Sequence, residues 1–252
     1  RLEDEEILQN KLSLMKDPSV TDLIKSVTIP KIREMKAPHA NASKIALIDC
    51  GVKLSIIDKL AKDFEVIWAP PDIPFETLID DYKVEGFFVS NGPGDPSHKG
   101  MASMATNTIA AAIETKIPLA GICLGHQLLG LASGLQTYKM KFGHRGANQP
   151  VTDLNSGRIA ITSQNHGFAV EDPNLGIIGP HPSGVTGNSS NTIEVKTEVS
   201  HRNTNDGTVE GLDVLEKPAF SVQFHPEAAP GPRDANFQFT RFKHLFKKHG
   251  GR

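Results

Sequence analysis

Between Lys44 and Ser133, short apolar runs alternate with stretches of helical spacing. Lys44–Asp49 is an apolar run closed by Cys50-Gly51, which predicts a buried strand. Ile56, Ile57 and Leu60 space a helix over Ser55–Lys62. Phe64–Ala69, stopped by Pro70-Pro71, predicts a second strand, and Gly86–Ser90, stopped by Asn91-Gly92-Pro93-Gly94, a third. Ile109 and Ile113 share one face of a helix over Met104–Thr115. Leu119–Ile122 predicts a fourth strand running straight into a helix over Leu124–Ser133, with Gly134 as its stop. Short apolar strands alternating with helices are buried on both faces. The expected class is therefore α/β: a doubly wound, mainly parallel sheet flanked by helices.

The ends of the chain read differently. Residues 1–43 are charged, with scattered apolar positions and interruptions at Pro18 and Pro30. They read as a connecting segment with a helical turn or two, the remnant of a preceding domain, and residues 44–252 as the domain itself. The second half is more strand-like, with β-prone runs at Arg158–Ser163, Glu210–Val214 and Ala219–Gln223. Between the first two lies Asp172–Asp206, rich in Gly, Pro, Ser, Asn and Thr, which reads as a long surface loop.

Composition narrows the function classes. The chain has 252 residues, 38% hydrophobic and 22% charged, enough for a sizeable core. Twenty-seven Lys and Arg against 29 Asp and Glu leave a net charge of -2, so no basic field favours nucleic acid. No apolar run reaches the roughly 18–20 residues that span a bilayer. Two cysteines make no disulfide framework, which points to a reducing, cytoplasmic setting. The chain opens on Arg1 without a charged-then-apolar leader, so a piece of a longer polypeptide is expected.

Gly121-Ile122-Cys123-Leu124-Gly125 is the most informative stretch. A strand enters it and a helix leaves it, the thiol counterpart of the G-x-S-x-G nucleophile elbow. The turn would place Cys123 at a helix N-terminus, where partial positive charge favours a thiolate. A buried structural cysteine is the alternative, and it is how Cys50 reads. A nucleophilic thiol needs a proton carrier, and among ten histidines His225 has the best context. It follows a strand in Phe224-His225-Pro226-Glu227, where a carboxylate two residues on can turn back on the imidazole. The Asn91–Pro96 turn offers backbone N–H groups to an anion, and Ser163–Gly167 offers polar side chains to a substrate. Neither stretch is specific alone. No Walker or dinucleotide loop is present. His126, His144, His166 and His225 lack zinc-type pair spacing, so no metal is expected.

In combination these motifs resemble the class I (triad) glutamine amidotransferases, and most closely the carbamoyl phosphate synthetase branch of that family. The cysteine elbow, Ser90–Pro96 and Phe224–Glu227 are shared by the class. Lys139–Pro150 (KMKFGHRGANQP) and Ser163–Val170 (SQNHGFAV) point to the branch, and the resemblance runs from about Lys44 to Phe246.

The resemblance implies a flavodoxin-like fold and hydrolysis of glutamine. Cys123 would form a γ-glutamyl thioester, His225 would move protons and Glu227 would orient His225. The N–H groups of Gly92 and Leu124 match the family's oxyanion hole, and Gly94, Gln127, Asn165, Gly167 and Phe168 its glutamine contacts. No cofactor is implied in this domain. ATP and Mg belong on the partner, a carbamoyl phosphate synthetase large subunit or fused synthetase domain that takes the ammonia for pyrimidine or arginine synthesis. Residues 1–43 are too short for the small domain that normally precedes this one and lends the site a serine. Competing readings are an amidotransferase of anthranilate or GMP synthesis, a non-catalytic scaffold, and a cysteine peptidase of similar fold.

Overall fold

The structure is a computed structural model that describes residues 2–14, 20–39, 42–176 and 192–250. In chain order its elements are α1 (Leu2–Leu14), α2 (Leu23–Val27), β1 (Arg33–Met35), β2 (Lys44–Ile48), α3 (Leu54–Leu60), β3 (Glu65–Ala69), α4 (Phe75–Asp80) and β4 (Gly86–Val89). There follow α5 (Met101–Glu114), β5 (Leu119–Ile122), α6 (Leu124–Ala132), β6 (Thr137–Asp153), β7 (Ile159–Val170), β8 (Thr197–Asn203), β9 (Val209–Val214), β10 (Ala219–Val222) and α7 (Phe237–His249). No helix among the described residues is long and apolar enough to cross a membrane.

All the strands among the described residues join one ten-stranded sheet, ordered β1-β3-β2-β4-β5-β10-β9-β8-β6-β7. The five strands from β3 to β10 are mutually parallel, and the flanks are antiparallel. Alternation along β2 explains why the parallel part is covered on both sides. Ala46 and Ile48 pack into one core with Ile109 and Ile113 of α5 and Leu128 of α6. Ile45 and Leu47 pack into the other with Ile56 and Leu60 of α3 and Phe242 and Phe246 of α7. Side chains of a strand point alternately to its two faces, so both layers are filled by one apolar run. The expected doubly wound α/β architecture is observed.

Three expectations need correction. The first concerns the segment before Lys44, expected to be a connector with a turn or two of helix. It holds the 13-residue α1, the short α2 and an edge strand, β1, which pairs antiparallel with β3. Ile24 and Ile29 are buried, and Asp22 accepts from the N–H of Met101 at 3.1 Å, at the start of α5. The second concerns Asp172–Asp206. Its later part contains β8, which pairs with both β9 and β6, while residues 177–191 lie outside the described residues. The third is the β-prone run expected over Arg158–Ser163, which continues through Ser163–Gly167 to Val170 as the twelve-residue β7.

Asp49, at the end of β2, ties the early segment to the sheet. Its Oδ2 accepts from the N–H of Ile29, and its Oδ1 from those of Gly51 and Val52, each at 2.9 Å. Asp49→Ala leaves these donors without their acceptor. It is expected to lower stability by about 1–3 kcal/mol, the scale of a buried unsatisfied polar group, read as a shift in urea midpoint.

Candidate active site

Cys123 joins β5 to α6 with φ 55° and ψ -101°, in the left-handed half of backbone space that a non-glycine residue occupies at a cost. The turn is that sharp because the chain around it approaches closely. A Cβ on Gly121 would lie 2.6 Å from the carbonyl oxygen of Gly125, and one on Gly125 would lie 2.4 Å from that of Val89. The elbow is further pinned by hydrogen bonds from the Cys123 N–H to Val222 O at 2.9 Å and from the Gly125 N–H to Ser90 O at 3.1 Å. Gly125→Ala should therefore force β4 and α6 apart. The expected loss is about 1–3 kcal/mol, as for other overpacked sites, visible as a lower thermal midpoint.

His225 is brought to the sulfur by the parallel pairing of β10 with β5. Its backbone N–H donates to Ser163 O of β7 at 2.8 Å, which fixes the loop beyond β10. The imidazole shares the cleft with Cys123, and its Nδ1 lies 2.7 Å from Glu227 Oε1. Burial works against a charged ring here. The charge and hydrogen bond of Cys123, together with Glu227, overcome it and raise the His225 pKa to about 10. Burial likewise works against the Glu227 carboxylate, but His225 and Lys53 hold its pKa below the usual range.

Lys53 joins the site without any signal in the sequence. It leaves the loop after β2, places Nζ 2.8 Å from Glu227 Oε1, and donates to Ala228 O at 2.7 Å. A lone lysine after a strand has no distinguishing local pattern, so only the fold reveals the pairing.

Cys123 and His225 open onto a cleft of about 630 Å³, which they share with Gly92, Asn165 and Lys53. That is ample for an amino-acid substrate. Gly94, Leu124, Gln127, Gly167 and Phe168 do not line this cleft. Leu124 opens α6 directly behind the sulfur, so its N–H belongs to the helix's unpaired first turn. Gly92 packs so closely on Cys50 that a Cβ would lie 2.0 Å from that residue's carbonyl oxygen. Gln127 is buried, and its amide nitrogen is committed to Phe168 O at 2.9 Å and Gln223 Oε1 at 3.0 Å. It braces β7, which carries Asn165, Gly167 and Phe168, against α6. Phe168 lies beneath Lys139, whose Nζ is 4.4 Å from the ring centre.

Neither the remaining thiol nor the core histidine competes for the role. Cys50 is buried, and burial together with Asp49 pushes its thiol far above the ordinary range. His126, fully buried with Nδ1 at 2.9 Å from Ser221 Oγ, is held neutral by burial, with its pKa lowered to about 3.

Residues 46–245 match the family model described as glutamine amidotransferase class-I. The chain belongs to this family. Among the amidotransferase's curated relatives is the carbamoyl phosphate synthase small chain of Thermotoga maritima, 42% identical over 236 residues, 87% of this chain and 58% of the relative. The small chain of Methanocaldococcus jannaschii is 44% identical over 244 residues, 94% of this chain and 61% of the relative. The amidotransferase thus spans about three-fifths of the length of these relatives. The solved structure of a glutamine amidotransferase from Thermotoga maritima superposes with TM-score 0.54 at 15% identity. It covers 82% of this chain and 85% of its own, a likeness of fold.

Proposed function

We propose that the protein hydrolyses glutamine to glutamate and ammonia through Cys123, His225 and Glu227. The observation that carries this reading is the His225 ring held between the elbow sulfur and Glu227 at 2.7 Å. Cys123 attacks the side-chain amide carbon, and His225 gives its proton to the departing ammonia, leaving a γ-glutamyl thioester. Water activated by the now neutral His225 then releases glutamate and returns the proton. Gly92 and Leu124 N–H groups stabilise the oxyanion, while Asn165 meets the amino-acid end and Gly167 and Phe168 support it from behind on β7. Gly94 contributes from the turn after β4, and Gln127 acts by positioning Phe168. The ammonia passes to a carbamoyl phosphate synthetase, either a separate large chain or a fused domain, which supplies the ATP and Mg chemistry. Relatives named carbamoyl phosphate synthase small chain support that choice of partner.

The test is covalent labelling with a glutamine-mimicking electrophile, followed by peptide mapping. The expected result is one adduct, on Cys123, that excess glutamine suppresses. Labelling on Cys50, or labelling indifferent to glutamine, would overturn the proposal.

A further inference from the structure

His144, His166 and Glu210 gather outside the catalytic cleft, on three different strands: β6, β7 and β9. His144 and His166 are direct cross-strand partners, and donor atoms of all three residues lie within 4.8 Å of one another. His144 Nδ1 is 3.1 Å and His166 Nε2 3.9 Å from Glu210 Oε1. Glu210 is fully buried, and its second oxygen, Oε2, has no hydrogen-bond partner among the described residues. Asn203 Nδ2 stands beside the group, 3.4 Å from both Glu210 Oε1 and His144 Nδ1.

Each imidazole is already oriented as metal ligands are. The nitrogen pointing away from Glu210 is anchored on an oxygen outside the group: His144 Nε2 on Asp206 Oδ2 at 3.0 Å, and His166 Nδ1 on Phe168 O at 2.8 Å. A carbonyl only accepts, so His166 Nδ1 carries the hydrogen and Nε2 of the neutral ring presents a lone pair. That lone pair faces another acceptor. Gln164 Oε1 is 3.1 Å from it. The amide orientation is fixed because Gln164 Nε2 donates to Thr162 Oγ1 at 3.2 Å, whose own hydrogen goes to Gln149 O at 2.9 Å. Gln164 also gives the Glu210 carboxylate a side-chain hydrogen bond, which leaves His166 Nε2 and the unpartnered Glu210 Oε2 as the electron pairs that share this buried space. Such convergence is costly in a protein interior unless a cation sits in it.

The geometry points to a structural divalent-cation site in which His144 Nδ1, His166 Nε2 and the Glu210 carboxylate bind zinc. Two imidazoles and a carboxylate match zinc's borderline preference, and outer partners such as Asp206 and Phe168 O fix ligand tautomers in such sites. Zinc would displace the hydrogen that His144 Nδ1 shares with Glu210, a hydrogen that Glu210 and Asp206 both favour on the ring. The ion would join the β6–β7 hairpin to β9 next to Gly167 and Phe168. Spacing along the chain conceals the site, because each ligand comes from a different strand.

The experiment loads the full chain with one equivalent of zinc or cobalt(II), followed by gel filtration and metal analysis. The expected result is one metal per chain, retained when Cys123→Ser removes the catalytic thiol and lost in His144→Gln and in Glu210→Gln. Cobalt should give the visible absorption of a four-coordinate nitrogen and oxygen site without a thiolate charge-transfer band. X-ray absorption on the zinc-loaded native chain answers independently of how the variants fold: two imidazoles and no sulfur support the site. Failure to retain metal, loss of metal in Cys123→Ser, or a sulfur ligand would each overturn it.

Discussion

Replacing Cys123 by serine should leave a folded chain that releases no measurable glutamate from glutamine. Serine is close to cysteine in size and can take the same elbow, with φ 55° imposed by the packing of Gly121 and Gly125 rather than by the side chain. The hydrogen bonds that hold the elbow are backbone bonds and survive the change. What is lost is the nucleophile, because a hydroxyl beside His225 is far less nucleophilic than a cysteine sulfur in the same place. The expected fall in kcat is roughly 10⁴–10⁶-fold, the scale of removing a nucleophile that works as part of a unit. Steady-state glutamate release measures it, with far-UV circular dichroism as the folding control. Cys50→Ser, by contrast, should keep most of the activity, since Cys50 lies in the core cluster beneath the turn. Substantial turnover by Cys123→Ser would remove the thioester from the mechanism.

How far the sequence discloses this arrangement depends on whether the signal is local. The strands β2 to β4 read correctly because each is a short apolar run with a Gly or Pro stop, and β5 because it is an apolar run that leads straight into the elbow. Cys123, His225 and Glu227 are legible for the same reason: elbow and His-Pro-Glu are each contained within five residues. The β6–β7 hairpin does not read as strand along Lys139–Pro150. Its side chains are largely exposed or half-buried and its pairing is broken by bulges, so no alternation of apolar and polar positions survives. α7 is hidden because phenylalanines and basic residues mix along it, and only Phe64 and Phe88 across the core show that Phe242 and Phe246 face inward. β1 is three residues long and gains its meaning from β3. Lys53 and the His144–His166–Glu210 group exist only as tertiary neighbours. No spacing rule finds residues that meet from separate strands and loops.

His225→Asn should cost more than Glu227→Gln, and the second variant should also move the pH profile. Asparagine cannot carry the proton to ammonia, so kcat is expected to fall roughly 10²–10⁴-fold, as for other general acids and bases. Glutamine at 227 can still accept from His225 Nδ1, and the backbone bond from His225 to Ser163 still places the ring. The loss there should be smaller. The sign of the pH effect follows from the charges around the ring. Burial opposes the imidazolium, whereas Cys123 and Glu227 raise its pKa to about 10. Proton donation by His225 is complete below that pKa and disappears as pH rises through it. Removing the Glu227 charge takes away one raising influence, so the alkaline limb of kcat/KM should move to lower pH in Glu227→Gln. It should move little in a variant that only perturbs packing, such as Gly125→Ala. Glutamate release measured across the alkaline range separates these outcomes. An unmoved alkaline limb in Glu227→Gln would mean that Glu227 holds the ring in place without tuning its charge. A larger loss in Glu227→Gln than in His225→Asn would reverse the two roles.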